Sequence, residues 1–258
     1  MKVLIKIGGT LLDDAALRSA IARQIAAVKN CAVTVVHGGG KQMTRYLEER
    51  GIESSFVRGL RVTTPEIADA VLKVFAGSVN SLLVAALNGA GARAVGLTGI
   101  DAGLALAEQL DSELGLVGII VRSNPALLDV LTGENYLPVV ACVAGGERGE
   151  VYNVNGDSMA AAVASGWKAD RLIFLTDVAG VLNTGKQVIP MLTVAACNEL
   201  IASGVATGGM QAKLNAACEA VRLGVGQVQI VRGSEADIVR RVLAGEPAGT
   251  SVIAGAGA

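Results

Sequence analysis

The chain has 258 residues, enough for one large α/β domain or two fused lobes around a real core. Hydrophobic residues make up 52% of it and aromatic residues only 3%, so the core must be built from Val, Ile, Leu and Ala, as in buried parallel sheets covered by Ala-rich helices. With 22 Lys and Arg against 23 Asp and Glu, no global field draws the chain to nucleic acid or to an anionic membrane, and any anion site must be local.

Residues 1–9, "MKVLIKIGG", enter a strand pattern at once and are interrupted by Lys6, which leaves no apolar run of the kind a signal peptide needs. The expectation is a cytoplasmic protein. Cys31, Cys142, Cys197 and Cys218 stand far apart with no CxxC pair, and a single histidine cannot complete a typical zinc set, so they read as reduced core thiols. No run of 18 apolar residues is free of Gly, Asn or charge, which argues against a membrane span.

Apolar runs of strand length occur at 3–7, 32–37, 94–97, 116–121, 137–143, 172–176 and 228–231. Helical spacing occurs at 13–29, 41–50, 65–87, 125–131, 158–167, 194–203, 210–223 and 236–244. This alternation predicts a largely parallel sheet. Two stretches break it, "SSFVRGLRVTT" and "AEQLDSELGLVG", and are predicted as hairpins or lids beside the main sheet. A lobe boundary is placed near 167–170, and the tail "GAGA" is expected to fray.

The first predicted strand ends in "IKIGGT" and the second in "VVHGGGK". Ligands of open parallel sheets sit beyond the carboxyl ends of the strands, where both glycine clusters fall. Bare glycine N–H groups at a helix start form an anion nest. Tight turns are the more ordinary reading of one such cluster, but two at equivalent strand ends shift the balance towards a phosphate or carboxylate. GxGxxG is absent, because Met43 occupies the third glycine's place, and so is GxxxxGK[ST]; a Rossmann dehydrogenase or P-loop ATPase is disfavoured.

Lys6, two residues before Gly8, is either a snorkelling strand-end lysine or a phosphate ligand. Arg61 in "RGLRVT" carries no signal by itself. In "YNVNGDSMAAAVA", Asn153 and Asn155 lie one strand period apart and share a face, while helix capping needs only one of them; Asp157 follows in the first turn. "TGGMQAK" opens another helix and places Lys213 about one turn in, where a solvated lysine is the ordinary alternative.

Taken together and in this order, "IKIGGTLL", "VVHGGGKQ", "RGLRVT", "YNVNGDSMAA", "FLTDVAGVL" and "GGMQAK" resemble the amino acid kinase family over nearly the full length. Within it, the likeness is strongest to members that phosphorylate N-acetyl-L-glutamate in arginine biosynthesis. The resemblance implies a three-layer αβα sandwich with a mainly parallel sheet of about eight strands. Residues 1–168 would form an N-terminal lobe for amino-acid binding and dimerisation, and 169–258 a C-terminal lobe for ATP. Lys6 and Lys213 would contact the transferring phosphoryl from two sides, with Asp157 holding both ammonium groups. Gly8, Gly9, Gly39 and Gly40 would line the phosphate path, Gly39 and Gly40 also meeting the substrate. Arg61, Asn153 and Asn155 would hold the substrate's carboxylate and acetamido groups. Asp177, Gly180 and Leu182, with Thr207, Gly208 and Gly209, would border the nucleotide.

ATP and Mg²⁺ are the implied cofactors, with Mg²⁺ held mainly by ATP phosphates and no metal ligand assigned to the protein. A carboxylate acceptor is already deprotonated at neutral pH, so no general base is required and catalysis must come from positioning and charge. Three positions depart from the family's usual look: Gly156 where alanine is common, Gly99-Ile100-Asp101 where Gly-Lys-Asp is more frequent, and Ser81 where lysine is common. The second is expected to bear on substrate identity. The alternatives are a sister kinase acting on carrier-protein-bound aminoadipate or glutamate, and a catalytically silent small-molecule sensor. Against the sensor stands the joint presence of Lys6, Asp157 and Lys213. Arginine-inhibited members carry an extra N-terminal helix that links dimers into hexamers, whereas the first strand here starts at Lys2; the expectation is an arginine-insensitive homodimer.

Overall fold

In the computed structural model, which describes residues 1–255, the chain alternates strands and helices as its periodicity requires. In order they are β1 (Lys2–Ile7), α1 (Gly9–Asp13), α2 (Ala15–Ala26), β2 (Ala32–His37), α3 (Gly40–Glu48), β3 (Phe56–Val57), β4 (Leu60–Arg61) and α4 (Pro65–Val71). A π-helical stretch, Leu72–Val79, continues α4 directly into α5 (Asn80–Gly89). There follow β5 (Ala94–Thr98), β6 (Ala105–Gln109), β7 (Val117–Ser123), α6 (Ala126–Gly133), β8 (Leu137–Ala141), β9 (Val143–Gly145), β10 (Val151–Val154) and α7 (Gly156–Gly166). The last third contains β11 (Arg171–Thr176), β12 (Met191–Thr193), α8 (Val194–Ala202), α9 (Gly208–Arg222), β13 (Gln227–Arg232), α10 (Ile238–Leu243) and β14 (Thr250–Ile253).

Eight strands form one sheet in the order β12-β14-β13-β11-β1-β2-β8-β5, parallel except between β13 and β14. β1 lies at its centre, buried from Val3 onward, and its apolar run is broken only by Lys6. From β1 the first half of the chain builds outward through β2, β8 and β5; from β11 the second half builds the other way. The carboxyl ends of β1 and β11 are therefore the place where strand order reverses, the usual position of a ligand crevice in such sheets. Lys6 pairs in register with Val36 and Ile7 with His37, so the two glycine clusters leave adjacent strand ends side by side.

Several elements differ from the sequence reading. The run at 116–121 lies outside the main sheet: as β7 it joins β6, β9 and β10 in a small closed four-stranded unit. The stretch read as one strand at 137–143 divides at Cys142, with β8 in the main sheet and β9 in the small unit. The helix expected at 13–29 is α2 and runs only from Ala15 to Ala26, because Asp14 leaves the helical region and its carboxylate accepts from the Leu17 N–H, capping α2; the short α1 before it is not among the expected helices. β12 and β14 are too short to stand out by periodicity. Both expected hairpins form, β3–β4 and β6–β7. The "GAGA" expectation covers 255–258, of which 256–258 lie outside the described residues.

The continuous helix Pro65–Gly89 is long and apolar enough to cross a membrane. Val71, Val74, Phe75, Val79, Leu83 and Leu87 are buried in the core, so much of its apolar surface is taken up by the fold.

Candidate active site

Lys6 shares a face of β1 with Leu4 and reaches past the strand end towards α7, which packs against β1. Asp157 sits in the first turn of α7, whose N-terminus is capped by Asn155: its Oδ1 accepts from the N–H groups of Asp157 (2.9 Å) and Ser158 (3.2 Å). The Asp157 carboxylate meets Lys6 Nζ at 2.6 Å through Oδ1 and Lys213 Nζ at 3.1 Å through Oδ2. Lys6 is 7% exposed and Asp157 5%; Lys213 is half-buried. Burial pushes the Asp157 pKa up, but the ammonium charges of Lys6 and Lys213 outweigh it and hold the carboxyl below its ordinary value. At neutral pH one carboxylate therefore bridges two cations, leaving a local charge of plus one that can turn towards an anion.

The two glycine clusters touch. A Cβ on Gly9 would lie 3.0 Å from the Gly40 nitrogen, and one on Gly39 would lie 2.9 Å from Phe75 Cδ1. Close approach, not backbone conformation, requires glycine at these two positions. Gln42 on α3 ties the clusters together by donating to the Gly9 carbonyl at 3.1 Å. Gly39 and Gly9, with Gly40, form a wall of a cavity of about 580 Å³ that also takes in Lys6, Asp157 and Arg61. Gly8 does not serve this wall as expected. Its N–H donates to the Leu175 carbonyl at 3.0 Å, so it binds the end of β1 to β11 and has no free amide for a phosphate.

Arg61, 8% exposed on β4, donates to Ser54 Oγ at 2.6 Å and Thr44 Oγ1 at 2.7 Å and lies 4.5 Å over the Phe56 ring. Both hydrogen bonds go to neutral hydroxyls, which leaves the guanidinium charge for a ligand carboxylate. Burial lowers its pKa somewhat from the usual arginine value, with Glu48 opposing the shift. Asn153 and Asn155 line the same cavity; Asn153 Nδ2 donates to Thr63 Oγ1 at 3.0 Å. The two asparagines thus divide the work, one capping α7 and the other turned to the β4 side. Cys142 also lines the cavity, but burial raises its thiol pKa to about 12, so it is no nucleophile at neutral pH.

The other expected residues form a second place. Gly180, Leu182 and Thr207 line a smaller cavity of about 200 Å³ with Val178, Val205 and Met210. Asp177, Gly208 and Gly209 do not line it; Asp177 accepts from Thr176 Oγ1, and Gly208 and Gly209 form the exposed first turn of α9. Among the described residues no side chain caps α9 and the N–H groups of Gly208 and Gly209 have no backbone acceptor, while Met210 donates to the Thr207 carbonyl at 3.1 Å. This helix links the two cavities: Thr207 and Met210 border the smaller one, and Lys213, one turn on, reaches Asp157 in the larger.

Two departures from the family's look can be placed. A Cβ on Gly156 would lie 3.4 Å from Lys6 Cε, so alanine would fit there in ordinary contact. Gly99-Ile100-Asp101 follows β5 and does not line the large cavity; Asp101 accepts from Thr98 N and Oγ1. The expected bearing of this segment on substrate identity has no contact behind it.

The residues that sequence reasoning missed are His37 and Asn80. His37 is fully buried, with Nδ1 2.9 Å from the Gly38 carbonyl and Nε2 2.9 Å from Asn80 Nδ2. An amide nitrogen can only donate, so Nε2 accepts, and the ring is the Nδ1–H tautomer donating to Gly38. Burial lowers its pKa to about 4, Gly38 opposing and Lys6 adding to the shift. The unfolded chain takes up this proton near pH 6.5 and the folded one only near 4, so stability falls as pH drops through that window. We expect the unfolding free energy to fall by about 2.5 kcal/mol more between pH 7 and 4.5 in the native protein than in His37→Asn, by urea titration. Equal slopes would show that His37 is not the titrating group.

The profile of the amino acid kinase family matches residues 1–232. The chain is 61% identical to an acetylglutamate kinase of Solibacter usitatus (strain Ellin6076) over 255 residues, 98% of this chain and 99% of that one. Among solved structures it resembles smu.665 from Streptococcus mutans UA159, with a TM-score of 0.82 at 26% identity, covering 98% of this chain and 99% of that chain. It also resembles the carbamate kinase of Giardia lamblia bound to AMP-PNP, with a TM-score of 0.76, 98% of each chain covered, and 18% identity, a likeness of fold alone.

Proposed function

The chain belongs to the amino acid kinase family, and from that premise we propose that it transfers the γ-phosphoryl group of ATP to the side-chain carboxylate of N-acetyl-L-glutamate, giving the acyl phosphate. It is a phosphotransferase with a carboxyl group as acceptor. The observation that carries the reading is the Asp157 carboxylate bridging Lys6 and Lys213 beside the touching glycine clusters.

Each part has a physical task. Arg61 supplies the cation for the carboxylate that does not react, and Asn153 and Asn155 border the cavity where the acetamido group would be held. The reacting carboxylate needs no base. Lys6 and Lys213 neutralise the charge that spreads over the transferring group, and the amides of Gly9, Gly39 and Gly40 add fixed donors that need no reorganisation. Asp157 holds both ammonium groups in a partly buried setting where their charge acts at lower dielectric.

The donor chemistry fits ATP: cationic side chains, glycine walls and the uncapped start of α9 are suited to phosphates, and the exposed apolar rim of Val178, Leu182 and Val205 is suited to a base. Among the described residues, no group of three or more His, Cys, Asp or Glu could hold a metal ion. Mg²⁺ would be held mainly by the ATP phosphates, where it screens their charge.

The remaining parts of the reading concern setting and assembly. The substrate-binding half comprises 1–168 and the nucleotide half 169–258, which agrees with the sheet order reversing between β1 and β11. A homodimer is supported by exposed Leu72 and Leu82 on the helix Pro65–Gly89 beside the open edge strand β5. The four free cysteines suit a cytoplasmic, reducing compartment. The name carried by the Solibacter relative gives no support to the carrier-linked alternative.

A hydroxylamine trap tests the reaction directly. With MgATP, hydroxamate is expected from N-acetyl-L-glutamate and at least about tenfold less from L-glutamate or α-aminoadipate. No hydroxamate from any of the three would overturn the reading.

A further inference from the structure

We infer that His37 and Asn80 are positioning residues for the phosphoryl transfer: they fix the peptide between Gly38 and Gly39 so that the Gly39 N–H is aimed into the cavity. The inference rests on the reading above that this amide meets the transferring group. Neither side chain lines the large cavity, and neither has a place in the proposed chemistry.

The argument begins with the peptide plane. The carbonyl of Gly38 and the N–H of Gly39 belong to one planar trans unit and point in opposite directions. His37 Nδ1–H holds that carbonyl at 2.9 Å, so it also sets the direction of the N–H. Gly39 lines the cavity, and its N–H has no backbone acceptor among the described residues. A glycine loop left to itself would sample many peptide orientations. The histidine ring selects one of them.

The ring must itself be held. Asn80 Nδ2 donates to His37 Nε2 at 2.9 Å and to the Val139 carbonyl at 2.9 Å, which locks the asparagine to β8 and the ring to the asparagine. Room for this exists because β5 carries Gly96, where a Cβ would fall 2.1 Å from Asn80 Oδ1. Asn80 directly follows the π-helical stretch Leu72–Val79. The same stretch places Phe75 and Val79 against Gly39, whose missing Cβ would lie 2.9 Å from Phe75 Cδ1 and 3.2 Å from Val79 Cγ2. The π stretch thus brings Phe75 and Val79 against Gly39, and the residue after it, Asn80, against the ring of His37 that holds the same loop, in keeping with the frequent placement of such turns at functional sites. General acid or base catalysis by His37 is excluded by this same geometry, since both ring nitrogens are engaged and the side chain is fully buried.

Two substitutions separate positioning from stability. The amide nitrogen of asparagine is as many bonds from Cα as Nδ1, so His37→Asn keeps a donor for Gly38 and loses the contact with Asn80. In His37→Gln the side-chain amide reaches as far as Nε2, keeping a partner for Asn80 and losing the Gly38 bond. Each removes one buried hydrogen bond, so their melting temperatures should be similar. In the hydroxamate assay, kcat is expected to fall by about 3- to 10-fold for His37→Asn, which keeps the donor to Gly38 but loses the hold of Asn80, and by roughly 30- to 100-fold for His37→Gln, which loses the donor itself, with KM for both substrates within about threefold. Crystal structures of the two variants give a readout that does not depend on turnover: the Gly38 carbonyl should keep its direction in His37→Asn and rotate away in His37→Gln. Equal kcat in the two variants, or an unmoved Gly38–Gly39 peptide in His37→Gln, would overturn the inference. Absence of hydroxamate from the native protein would instead defeat the functional reading, while the peptide orientation would still decide the structural part.

Discussion

Replacing Lys213 with alanine is expected to lower kcat for acyl phosphate formation by about two to three orders of magnitude, with KM for MgATP rising by no more than about tenfold. The reason is the place of the ammonium group. It reaches Asp157 at 3.1 Å from the first turns of α9, the helix whose uncapped N-terminus borders the smaller cavity. In the proposed reaction a charge there would interact more strongly with the transition state than with bound ATP, because the charge on the transferring group is redistributed as the bond to the leaving oxygen breaks. An effect of about 3 to 4 kcal/mol is the size seen when one preorganised donor is removed from such a site. The fold should tolerate the change, since α9 is held by the buried face formed by Leu214, Ala217, Cys218 and Val221. A kcat within threefold of native, measured with hydroxylamine trapping at saturating substrates, would remove Lys213 from the catalytic machinery.

Asp157→Asn is expected to damage both stability and turnover. In the native protein the carboxylate compensates two ammonium groups, one of them on a lysine only 7% exposed. The amide cannot compensate either charge, and the two lysines then face each other across a short gap. Removing one partner from a buried ionic cluster commonly costs 3–5 kcal/mol, and here Lys213 can relieve part of this by turning towards the open cavity. A loss of about 3 kcal/mol, or roughly 6–12 °C in melting temperature, is the expected outcome, readable from the single buried Trp167. MgATP should raise the melting temperature of the variant by more than that of the native protein, because the polyphosphate supplies the missing negative charge. A native-like melting temperature and kcat would show that the bridge is incidental. The acid response of this cluster is separate from that of His37. With its carboxyl pKa lowered in the fold, Asp157 contributes stability above the ordinary carboxylate pKa near 3.9, and that contribution is lost only as pH falls through the lower folded value.

Much of the site was legible because its residues sit where strands end. The alternation of apolar runs with helical spacing places β1 and β2 in a parallel sheet, and glycine clusters after two such strands fall at the carboxyl edge whatever the rest of the chain does. The assignment of Lys6 and Lys213 was of another kind. Lys6 stood out only by its place beside a glycine cluster and Lys213 does not differ locally from a solvated lysine; the ordered set of motifs that resembles a family gave both their role. Gly8 shows the limit of motif transfer: nothing in "IGGT" tells which of two glycine amides is engaged by a neighbouring strand, and the partner, Leu175, is far away in the chain.

Asn80 marks the same limit from the other side. In sequence it is a polar residue inside a helical stretch, where solvation is the ordinary reading. Its role depends on a π turn before it, on a glycine at position 96 of another strand and on the ring of His37, and none of these is visible in a local window.

The sequence by itself therefore determined the fold class, the strand ends that bear the glycines and the absence of any strong overall charge, because periodicity, glycine content and charge balance act over a few residues or over the whole composition. The tertiary structure decided which amides are free, which asparagine caps α7, that 116–121 leaves the main sheet, and that Lys6, Asp157 and Lys213 meet within hydrogen-bond distance. Most of those outcomes depend on how elements well separated in the chain pack against one another, as Lys6 and Asp157 do, and such contacts follow from shape and register in the folded core, not from local preference.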